Sequence, residues 1–360
     1  MSLVQKRRET RQISVGNVKV GSDSPISVQS MTNTQTQDVQ ATVKQILALE
    51  KAGCEIIRVA VPDMESALAI EKIKQRISIP VIADIHFDYR LAIASAKAGV
   101  DALRINPGNI GEHKKIKAVV DCAKEHKISI RIGVNAGSLE KNIEKRFGTT
   151  AKAMKESALS NIKILEDLNF HDIKVSLKAS DVSRTVKAYR LLAPETDVPF
   201  HVGVTEAGGL YAGITKSAIG IGMLLAEGLG DTMRVSLTRD PVEEIRTGYE
   251  ILRALGIRSR GPELISCPTC GRCKIDLFKI ARDTEKALLE SSSKIKIAIM
   301  GCAVNGPGEA READIGIAGG DGKGILFKKG KVIRKIDQDQ LVEQLLMEID
   351  KIENEKSGDI

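Results

Sequence analysis

Short apolar segments alternate with longer amphipathic segments from residue 26 to about residue 255. Eight of the short segments are rich in Ile, Val and Ala, as buried parallel strands are. They are Ile26–Thr32, Ile56–Pro62, Val81–Phe87, Ala102–Gly108, Ile128–Asn135, Ile173–Lys178, Pro199–Glu206 and Met233–Thr238. Between them apolar residues recur every three or four positions, which predicts helices. Eight strand–helix units in this length predict a (β/α)₈ TIM barrel. An open doubly wound sheet is the alternative, but no G-x-G-x-x-G follows the first strand.

Polar side chains occupy every second position in most of these strands. In the third strand, for example, Asp84 and His86 alternate with the apolar Ala83, Ile85 and Phe87. Because helices cover the outside of such a barrel, the apolar sets are expected to face outward and the polar sets the lumen. The predicted lumen-facing residues are Arg58, Asp84, His86, Arg104, Asn106, Arg131, Asn135, Lys174, Ser176, Lys178, Arg234 and Ser236.

A lumen with this many charges departs from the usual filling of branched apolar side chains. A buried ion-pair network would account for the charges of any single strand. Four arginines on separate strands nevertheless have few carboxylates to pair with, and Arg binds phosphate and carboxylate groups through two parallel hydrogen bonds. We therefore predict a strongly anionic ligand, such as a diphosphate, at the C-terminal mouth of the barrel.

The pattern changes after the helical stretch Pro241–Leu255. The barrel is expected to occupy residues 1–256 and a linker residues 257–262, which leaves residues 263–360 for a small α+β domain. The predicted elements of that domain are a helix around Lys274–Leu289, strands at Ile295–Met300 and Ile315–Ala318, a hairpin of Ile325–Lys328 with Lys331–Ile336, and a closing helix, Asp339–Ile352.

The 360-residue chain has a net charge of +7, and the excess of basic residues lies before residue 262. A basic surface attracts anions. Nucleic-acid binding is a weaker interpretation, because only 3% of the residues are aromatic and Trp is absent, so side chains for base stacking are scarce.

No apolar run approaches the roughly 18 residues that span a bilayer, and Met1–Ile13 lacks the apolar core of a secretory signal. We expect a cytoplasmic protein.

Four of the six cysteines, Cys267, Cys270, Cys273 and Cys302, lie close together near the C-terminus. A C-x-x-C pair with a distant third cysteine is typical of a metal site, and three interpretations remain open. A zinc ribbon would need a second C-x-x-C pair. A thioredoxin-like dithiol would need C-x-x-C to open a helix after a strand, and the residues before Cys267 do not clearly provide one. An iron–sulfur cluster needs three or four soft ligands and tolerates this spacing.

Several runs of residues together resemble one known family. In the barrel they are Gln29–Thr34, Ala83–Phe87, Arg104–Gly111, Arg131–Asn135 and Gly203–Gly208, and in the second domain Ser266–Cys270 and Asn305–Glu309. They are similar to those of the 4-hydroxy-3-methylbut-2-enyl diphosphate synthases, oxidoreductases of the methylerythritol phosphate route to isoprenoids. The resemblance runs from about residue 10 to residue 350 and is to the short bacterial form.

The resemblance implies an activity and a cofactor. The family reduces 2-C-methyl-D-erythritol 2,4-cyclodiphosphate, opening its ring and removing a hydroxyl group to give 4-hydroxy-3-methylbut-2-enyl diphosphate. Two electrons arrive from flavodoxin or ferredoxin through a [4Fe-4S] cluster, whose ligands by resemblance are Cys267, Cys270, Cys302 and Glu309. Glu309 is expected to take part in catalysis as well, because a carboxylate is a weaker ligand than thiolate and can give way to a substrate oxygen. Cys273 departs from the family pattern, and we expect it not to bind iron.

The resemblance also implies roles in the barrel. Glu206 resembles the acid that faces the substrate's hydroxyl group. Asp84, His86 and Asn106 resemble the family's polar lumen residues. For Asp84 and His86 two interpretations remain: a buried structural pair, or direct contact with the substrate. The diphosphate binders and their neighbours are, by resemblance, Arg58, Arg104, Arg131, Lys178, Asn135, Arg234 and Ser236. The alternative function is a non-redox TIM-barrel enzyme, pterin-binding or aldolase-like, with a structural zinc in its tail.

The course of the chain predicts a homodimer. Barrel helices run antiparallel to their strands, so the linker starts at the N-terminal face, whereas such active sites lie at the C-terminal face. The barrel is some 30 Å long, and a linker of this length reaches at most about 25 Å. The cysteines are therefore expected to reach a partner's barrel in a head-to-tail homodimer with composite sites, as the resemblance also implies.

Overall fold

The structure is a computed structural model that describes residues 3–289, 291, 293–302, 311–320 and 322–357. The chain divides into two units, residues 1–258 and 259–360, and each unit has its own main sheet. Within the described ranges, no helix is both long enough and apolar enough to cross a membrane.

After an antiparallel hairpin of β1 (Ile13–Val15) and β2 (Val18–Val20), eight parallel strands form the sheet of the first unit. Their order is β8-β7-β6-β5-β4-β3-β10-β9. A parallel bridge between Val175 and Phe200 joins the two ends of this order, so the sheet closes on itself. The predicted TIM barrel is thereby confirmed. The eight strands are β3 (Ser27–Met31), β4 (Ile56–Ala60), β5 (Val81–Asp84), β6 (Ala102–Ile105), β7 (Ser129–Asn135), β8 (Ile173–Lys178), β9 (His201–Val202) and β10 (Thr232–Met233).

Helices follow the barrel strands and pack on their outward faces. Many begin at an aspartate whose carboxylate accepts a backbone N–H of the first turn; Asp63, Asp181 and Asp240 are examples. This is the usual chemistry of a helix N-terminus. The helices are α1 (Val39–Ala52), α2 (Met64–Lys74), α3 (Tyr89–Lys97), α4 (Pro107–Ile110), α5 (His113–Glu125), α6 (Lys141–Phe147), α7 (Ala151–Asp167), α8 (Val182–Leu192), α9 (Leu210–Ala226) and α10 (Pro241–Ala254).

The hairpin covers the N-terminal end of the barrel, and it is an element that the strand–helix alternation does not predict. Its residues Ile13, Val15 and Val20 pack against three apolar residues near the N-terminal ends of barrel strands. These residues are Ile56, Ile82 and Ala102. The lumen is therefore apolar at the N-terminal end of the barrel, and the polar positions lie farther along the strands.

The segment before the hairpin is held at the same end of the barrel by backbone carbonyls. Gln5 N donates to Ala226 O at 2.8 Å, and Arg8 N donates to Gly228 O at 3.0 Å. The Arg8 guanidinium donates to Val198 O at 2.6 Å and lies 3.9 Å from the centre of a buried aromatic ring. The first residues of the chain are thus tied to the last third of the barrel.

The second unit contains a five-stranded sheet in the order β11-β12-β13-β14-β15. The first three strands are parallel and the last two antiparallel. Two helices pack on one face through residues such as Ile280 and Leu345. These elements confirm the predicted α+β arrangement. They are β11 (Glu263–Ser266), α11 (Leu277–Leu288), β12 (Lys296–Met300), β13 (Ile315–Gly319), β14 (Lys323–Lys328), β15 (Lys331–Asp337) and α12 (Leu341–Ser357).

Strand β11 corrects one expectation. The sequence before Cys267 shows no clear strand, yet β11 ends at Ser266, immediately before that cysteine. Four residues with a glutamate at one end give little local signal; the strand exists because it pairs in register with β12, from Glu263 with Lys296 onward. No helix opens at the C-x-x-C pair, because the next helix begins only at Leu277.

Candidate functional site

The polar residues of the barrel strands face the lumen, as their alternation predicts. On β7, Ile130 and Ile132 belong to the core between strands and helices, whereas Arg131 is buried beside the charges of Arg58, Arg104 and other lumen residues. Six basic side chains share this space on lumen-facing positions, namely Arg58, Arg104, Arg131, Lys174, Lys178 and Arg234.

Asp84 is the acidic centre of this cluster. Its Oδ1 atom accepts a hydrogen bond from Arg104 Nη1 at 3.0 Å, and its Oδ2 atom lies 3.5 Å from Arg58 Nε. Burial opposes ionisation of Asp84, but Arg58, His86 and Arg104 together hold the pKa of this carboxyl well below its usual range. Asp84 is therefore an ionised group that orients two arginines.

His86 lies at the edge of the same cluster. Its Nε2 atom accepts from Arg104 Nη1 at 3.0 Å and lies 3.7 Å from Asp84 Oδ1. About half of the His86 side chain, 51%, is exposed, against 6% for Asp84. The two residues do contact the same arginine, but only His86 offers a ring to a molecule at the mouth.

Arg234 is held by an acidic residue outside the strands. Glu244, in the first turn of α10, is buried. Its Oε2 atom accepts from Ser30 Oγ at 3.0 Å and lies 3.4 Å from Arg234 Nε, and its Oε1 atom accepts from Leu237 N at 3.0 Å. Glu244 thus links β3, the loop after β10 and Arg234. The strand pattern does not identify Glu244, because it lies in a helix. Glutamate is also common in the first turn of helices, where it interacts favourably with the helix dipole.

Met31 and His201 are two further lumen residues outside the expected set. Met31 Sδ accepts from Arg58 Nε at 3.1 Å and from Arg58 Nη2 at 2.9 Å. His201 is fully buried, and its Nδ1 atom lies 2.7 Å from Thr232 Oγ1. Both lie at alternate positions of their strands, so the same period-two pattern that identifies the arginines would also have found them.

The remaining expected residues lie near the C-terminal ends of the strands. Asn135 pairs in register with Lys178 across β7 and β8. Burial, followed by the charge of Arg131, lowers the pKa of Lys178 well below its usual value. Asn106 caps α4, because its Oδ1 atom accepts from Gly108 N at 3.0 Å. The Asn106 oxygen is therefore already used by the fold. Ser236 is half-buried in the loop after β10.

Alternation does not place Glu206 in the lumen, because it has the parity of the apolar Val202 and Val204, and the seventh strand is expected to end before it. Strand β9 ends at Val202 rather than at residue 206. The backbone of Glu206 has a φ of +51°, in the left-handed region, and its side chain is exposed. A residue with this φ cannot continue a strand. Glu206 is accordingly presented on the loop at the C-terminal end of the barrel.

Two of the cysteines lie around Gly301, the residue before Cys302. Cys267 Sγ accepts a hydrogen bond from Gly301 N at 3.2 Å. A Cβ atom at Gly301 would lie 2.7 Å from Cys273 Sγ and 3.6 Å from Cys267 Sγ. Cys273 Sγ also donates to Ile275 O at 3.2 Å. Cys273 is thus turned toward the same glycine as Cys267, whereas Cys270 is exposed.

The donors of this region suit a soft-metal group. Cys267, Cys270, Cys273 and Cys302 form no disulfide, and a backbone N–H directed at Cys267 sulfur is the kind of contact that tunes cluster thiolates. Glu309, the expected fourth ligand, lies outside the described residues. Among the residues that are described, no group of three or more His, Cys, Asp or Glu side chains is close enough to hold a metal ion.

Comparison with protein families gives two matches that together span most of the chain. Residues 10–249 match the GcpE TIM-barrel domain, and residues 263–351 match the GcpE protein C-terminal domain. The two matched segments meet at the same region as the boundary between the two structural units.

Curated relatives match over nearly their full length. A protein of Lawsonia intracellularis is 57% identical over 348 residues, which cover 96% of this chain and 97% of that protein. A protein of Geobacter sulfurreducens is 57% identical over 351 residues, covering 97% and 99%. One of Caldanaerobacter subterraneus is 56% identical over 355 residues, covering 98% and 100%. Each is named 4-hydroxy-3-methylbut-2-en-1-yl diphosphate synthase (flavodoxin).

Among solved structures, the barrel is similar to dihydropteroate synthase from Stenotrophomonas maltophilia. The TM-score is 0.50 at 13% sequence identity, and the match covers 69% of this chain and 98% of that chain. At this identity the similarity concerns the fold alone.

Proposed function

Because the chain belongs to the GcpE family of 4-hydroxy-3-methylbut-2-en-1-yl diphosphate synthases, oxidoreductases of the methylerythritol phosphate route, we propose that it reduces 2-C-methyl-D-erythritol 2,4-cyclodiphosphate. The reaction takes two electrons, opens the cyclic diphosphate and expels one hydroxyl group as water. The product is 4-hydroxy-3-methylbut-2-enyl diphosphate.

One observation carries the substrate assignment: the lumen has more cations than its carboxylates can pair. Asp84 is engaged by Arg58 and Arg104, and Glu244 is engaged by Arg234. Arg131 is fully buried, and its Nε and Nη1 atoms have no hydrogen-bond partner among the described residues. Buried arginine donors without partners are costly unless an acceptor reaches them. A diphosphate offers such acceptors.

We assign the diphosphate to the arginines and Lys178, with Asn135 and Ser236 beside them. Asp84 orients Arg58 and Arg104 and does not itself contact the anion, because two negative groups would repel each other. His86, half exposed beside Arg104, can contact the sugar portion. Glu206, on the loop at the mouth, is proposed as the acid that protonates the departing hydroxyl group.

The family's cofactor fits the thiols of the second unit. Cys267, Cys270, Cys302 and Glu309 would hold a [4Fe-4S] cluster, which supplies single electrons from flavodoxin or ferredoxin. Cys273 is proposed to support the loop rather than to bind iron, since its thiol already donates to Ile275 O. The name of the relatives favours flavodoxin as the donor.

We also propose the head-to-tail homodimer, in which one chain's cysteines meet the other chain's barrel, and a cytoplasmic location. Two features support the dimer: the substrate-binding residues and the cysteines lie in different units, and the connection between the units is short. The test is complementation. A Cys302→Ser chain mixed with an Arg131→Ala chain, under conditions that allow subunit exchange, should regain activity. Proven heterodimers that regain none would show that each chain completes its own site.

The activity itself is tested with the purified full chain under anaerobic conditions. Reduced flavodoxin and the cyclic diphosphate should give the dehydroxylated linear diphosphate, with iron and sulfide near four per chain. The alternative, a non-redox barrel enzyme with a structural zinc, predicts a colourless protein that contains zinc and no sulfide. An iron-loaded chain that fails to turn over the cyclic diphosphate would refute the assignment of the substrate.

A further inference from the structure

Lys174 lies in the lumen at a position that the proposed reaction does not use. It pairs in register with Arg131 across β7 and β8, two lumen-facing positions before the register pair of Asn135 and Lys178. Both Lys174 and Arg131 are fully buried. The Lys174 Nζ atom has no hydrogen-bond partner among the described residues. A buried ammonium group normally has several acceptors, because its three N–H groups lose water on burial.

The charges around Lys174 are predominantly positive. Arg131 on β7 and Arg58 on β4 are the charges that act on it. The charge of Lys174 also acts on His201 on β9, and Lys178 lies two lumen-facing positions farther along β8. The carboxylates nearby are engaged elsewhere: Asp84 on β5 with Arg58 and Arg104, and Glu244 on α10 with Arg234. No lumen carboxylate is left to pair with Lys174 within the described barrel.

A crowded set of buried cations lowers its energy by releasing protons, and lysine releases its proton far more readily than arginine does. His201 does not compete, since burial and then the charge of Arg131 hold its pKa well below the usual value and the imidazole stays neutral. For Lys174, burial is the main cause and Arg131 and Arg58 add to it, which lowers the pKa of the amine to about 7.

We propose that Lys174 is an uncharged amine in the empty lumen and takes up a proton when a phosphate-bearing ligand binds to the arginines above it. The ligand's negative charge offsets the surrounding cations, so the ammonium form becomes favourable. Lys174 then acts as a positioning residue that adds positive charge beneath the ligand only while the ligand is bound. This inference rests on the proposed diphosphate site.

The test is calorimetric, with inorganic pyrophosphate as the probe and the purified full chain as the protein. Titrations at pH 8 in buffers that differ in ionisation enthalpy give the number of protons exchanged per bound ligand. Lys174→Met keeps the length of the side chain and removes the amine. Wild-type protein should take up about one proton more per pyrophosphate than Lys174→Met does. Comparing the two removes the contributions of pyrophosphate and Lys178, which both proteins share.

Affinity gives a second readout. Because one extra proton accompanies binding, the wild-type Kd should rise about tenfold more per pH unit than the Lys174→Met Kd between pH 8 and pH 9. Lys163→Met, which removes an exposed lysine on α7, is the matched control and should behave as wild type in both measurements. Lys174→Gln replaces Lys174→Met if the methionine variant does not fold.

The outcomes separate this inference from the proposed function. Equal proton uptake in wild type and in the folded Lys174 variant, with pyrophosphate still bound, would overturn the role of Lys174 and leave the diphosphate site standing. A wild-type chain that does not bind pyrophosphate at all would overturn both.

Discussion

Asp84 and Arg104 are register partners on neighbouring strands, and their side chains meet in a hydrogen bond of 3.0 Å inside the barrel. The same carboxylate also faces Arg58. A single acid therefore sets the directions of two arginines. Glu244 engages Arg234, whereas the buried Nε and Nη1 atoms of Arg131 have no partner among the described residues and are left for an external anion. We therefore expect Asp84 to affect both the stability of the barrel and the binding of an anion in its lumen.

Asp84→Asn should destabilise the barrel by about 3–5 kcal/mol, the usual cost of breaking a buried ion pair. Inorganic pyrophosphate should restore part of the loss, because binding stabilises the folded state and replaces the missing negative charge. Urea unfolding with and without pyrophosphate measures both effects. Asp88→Asn is the control, since Asp88 caps α3 and Asn caps a helix equally well.

The stabilisation by Asp84 should also depend on pH. The pKa of this carboxyl is well below its usual range in the folded protein, so the unfolded chain binds the proton more readily. The contribution is fully present above the ordinary Asp pKa and is lost as the pH falls toward the folded-state value. The difference in stability between wild type and Asp84→Asn should therefore shrink on acidification. A constant difference from pH 7 to pH 3 would contradict the ionised pair.

Arg131→Ala and Arg104→Ala should each lower kcat/KM strongly while the visible absorption of the iron-loaded protein stays unchanged. Losing a desolvated contact to a charged ligand costs about 2–5 kcal/mol. Steady-state kinetics and absorption spectra of the same samples provide the comparison. Arg190→Ala, which removes a surface ion pair with Glu227, should leave both untouched. Wild-type kcat/KM in both lumen variants would remove these arginines from the site.

Gly133→Ala tests the space that Arg104 needs. A Cβ atom at Gly133 would lie 2.4 Å from Arg104 Nε, so the added methyl group must displace that guanidinium. Pyrophosphate binding should weaken at least tenfold, about 1.4 kcal/mol, in a protein that still folds. Gly137→Ala is the matched variant, because a Cβ there would meet no atom within 4 Å. Calorimetry on both would show whether the loss follows Arg104 or any added methyl group.

Glu206→Gln should bind the cyclic diphosphate as wild type does but react about 10²–10⁴-fold more slowly, because amide cannot donate the proton that a departing hydroxyl needs. Single-turnover rates measured beside equilibrium binding separate the two effects. Weak binding together with a normal single-turnover rate would instead make Glu206 a binding residue.

Cys273→Ser should retain its iron and sulfide, whereas Cys270→Ser should lose most of both. The two residues lie three positions apart, so the pair is well matched. Cys273 Sγ donates to Ile275 O, and serine can make the same hydrogen bond. Iron and sulfide analysis after anaerobic reconstitution gives the answer, and cluster loss in Cys273→Ser would identify Cys273 as a ligand.

The barrel and most of its lumen residues follow from sequence because period-two alternation acts within a single strand. Arg58, Asp84, Arg104 and Arg131 are each recognisable beside their own apolar neighbours. Features that depend on distant partners are not recognisable in this way. Strand β11 exists through its pairing with β12, and Glu244 matters only because the chain brings it to Ser30 and Arg234.

Local patterns also leave the uses of a side chain open. Asn106 continues the alternation of lumen-facing positions just after β6 ends at Ile105, yet its oxygen accepts from Gly108 N and caps a helix. Glu206 shares the parity of the apolar Val202 and Val204, so spacing does not place it in the lumen, and its left-handed backbone puts it on the loop after β9. In both cases the backbone conformation after the strand, which period-two spacing does not report, decides where the polar atoms point.

The attachment of the N-terminal segment has a consequence for the protein during its synthesis. Gln5 and Arg8 bond to backbone groups at residues 198, 226 and 228. Synthesis runs from N- to C-terminus, so Gln5 and Arg8 are made about 220 residues before Ala226 and Gly228, whose carbonyls they contact. Contacts this distant in sequence form late and slowly. This segment therefore reaches its final position only when the barrel is nearly complete, and its docking belongs to the last step of folding rather than the first.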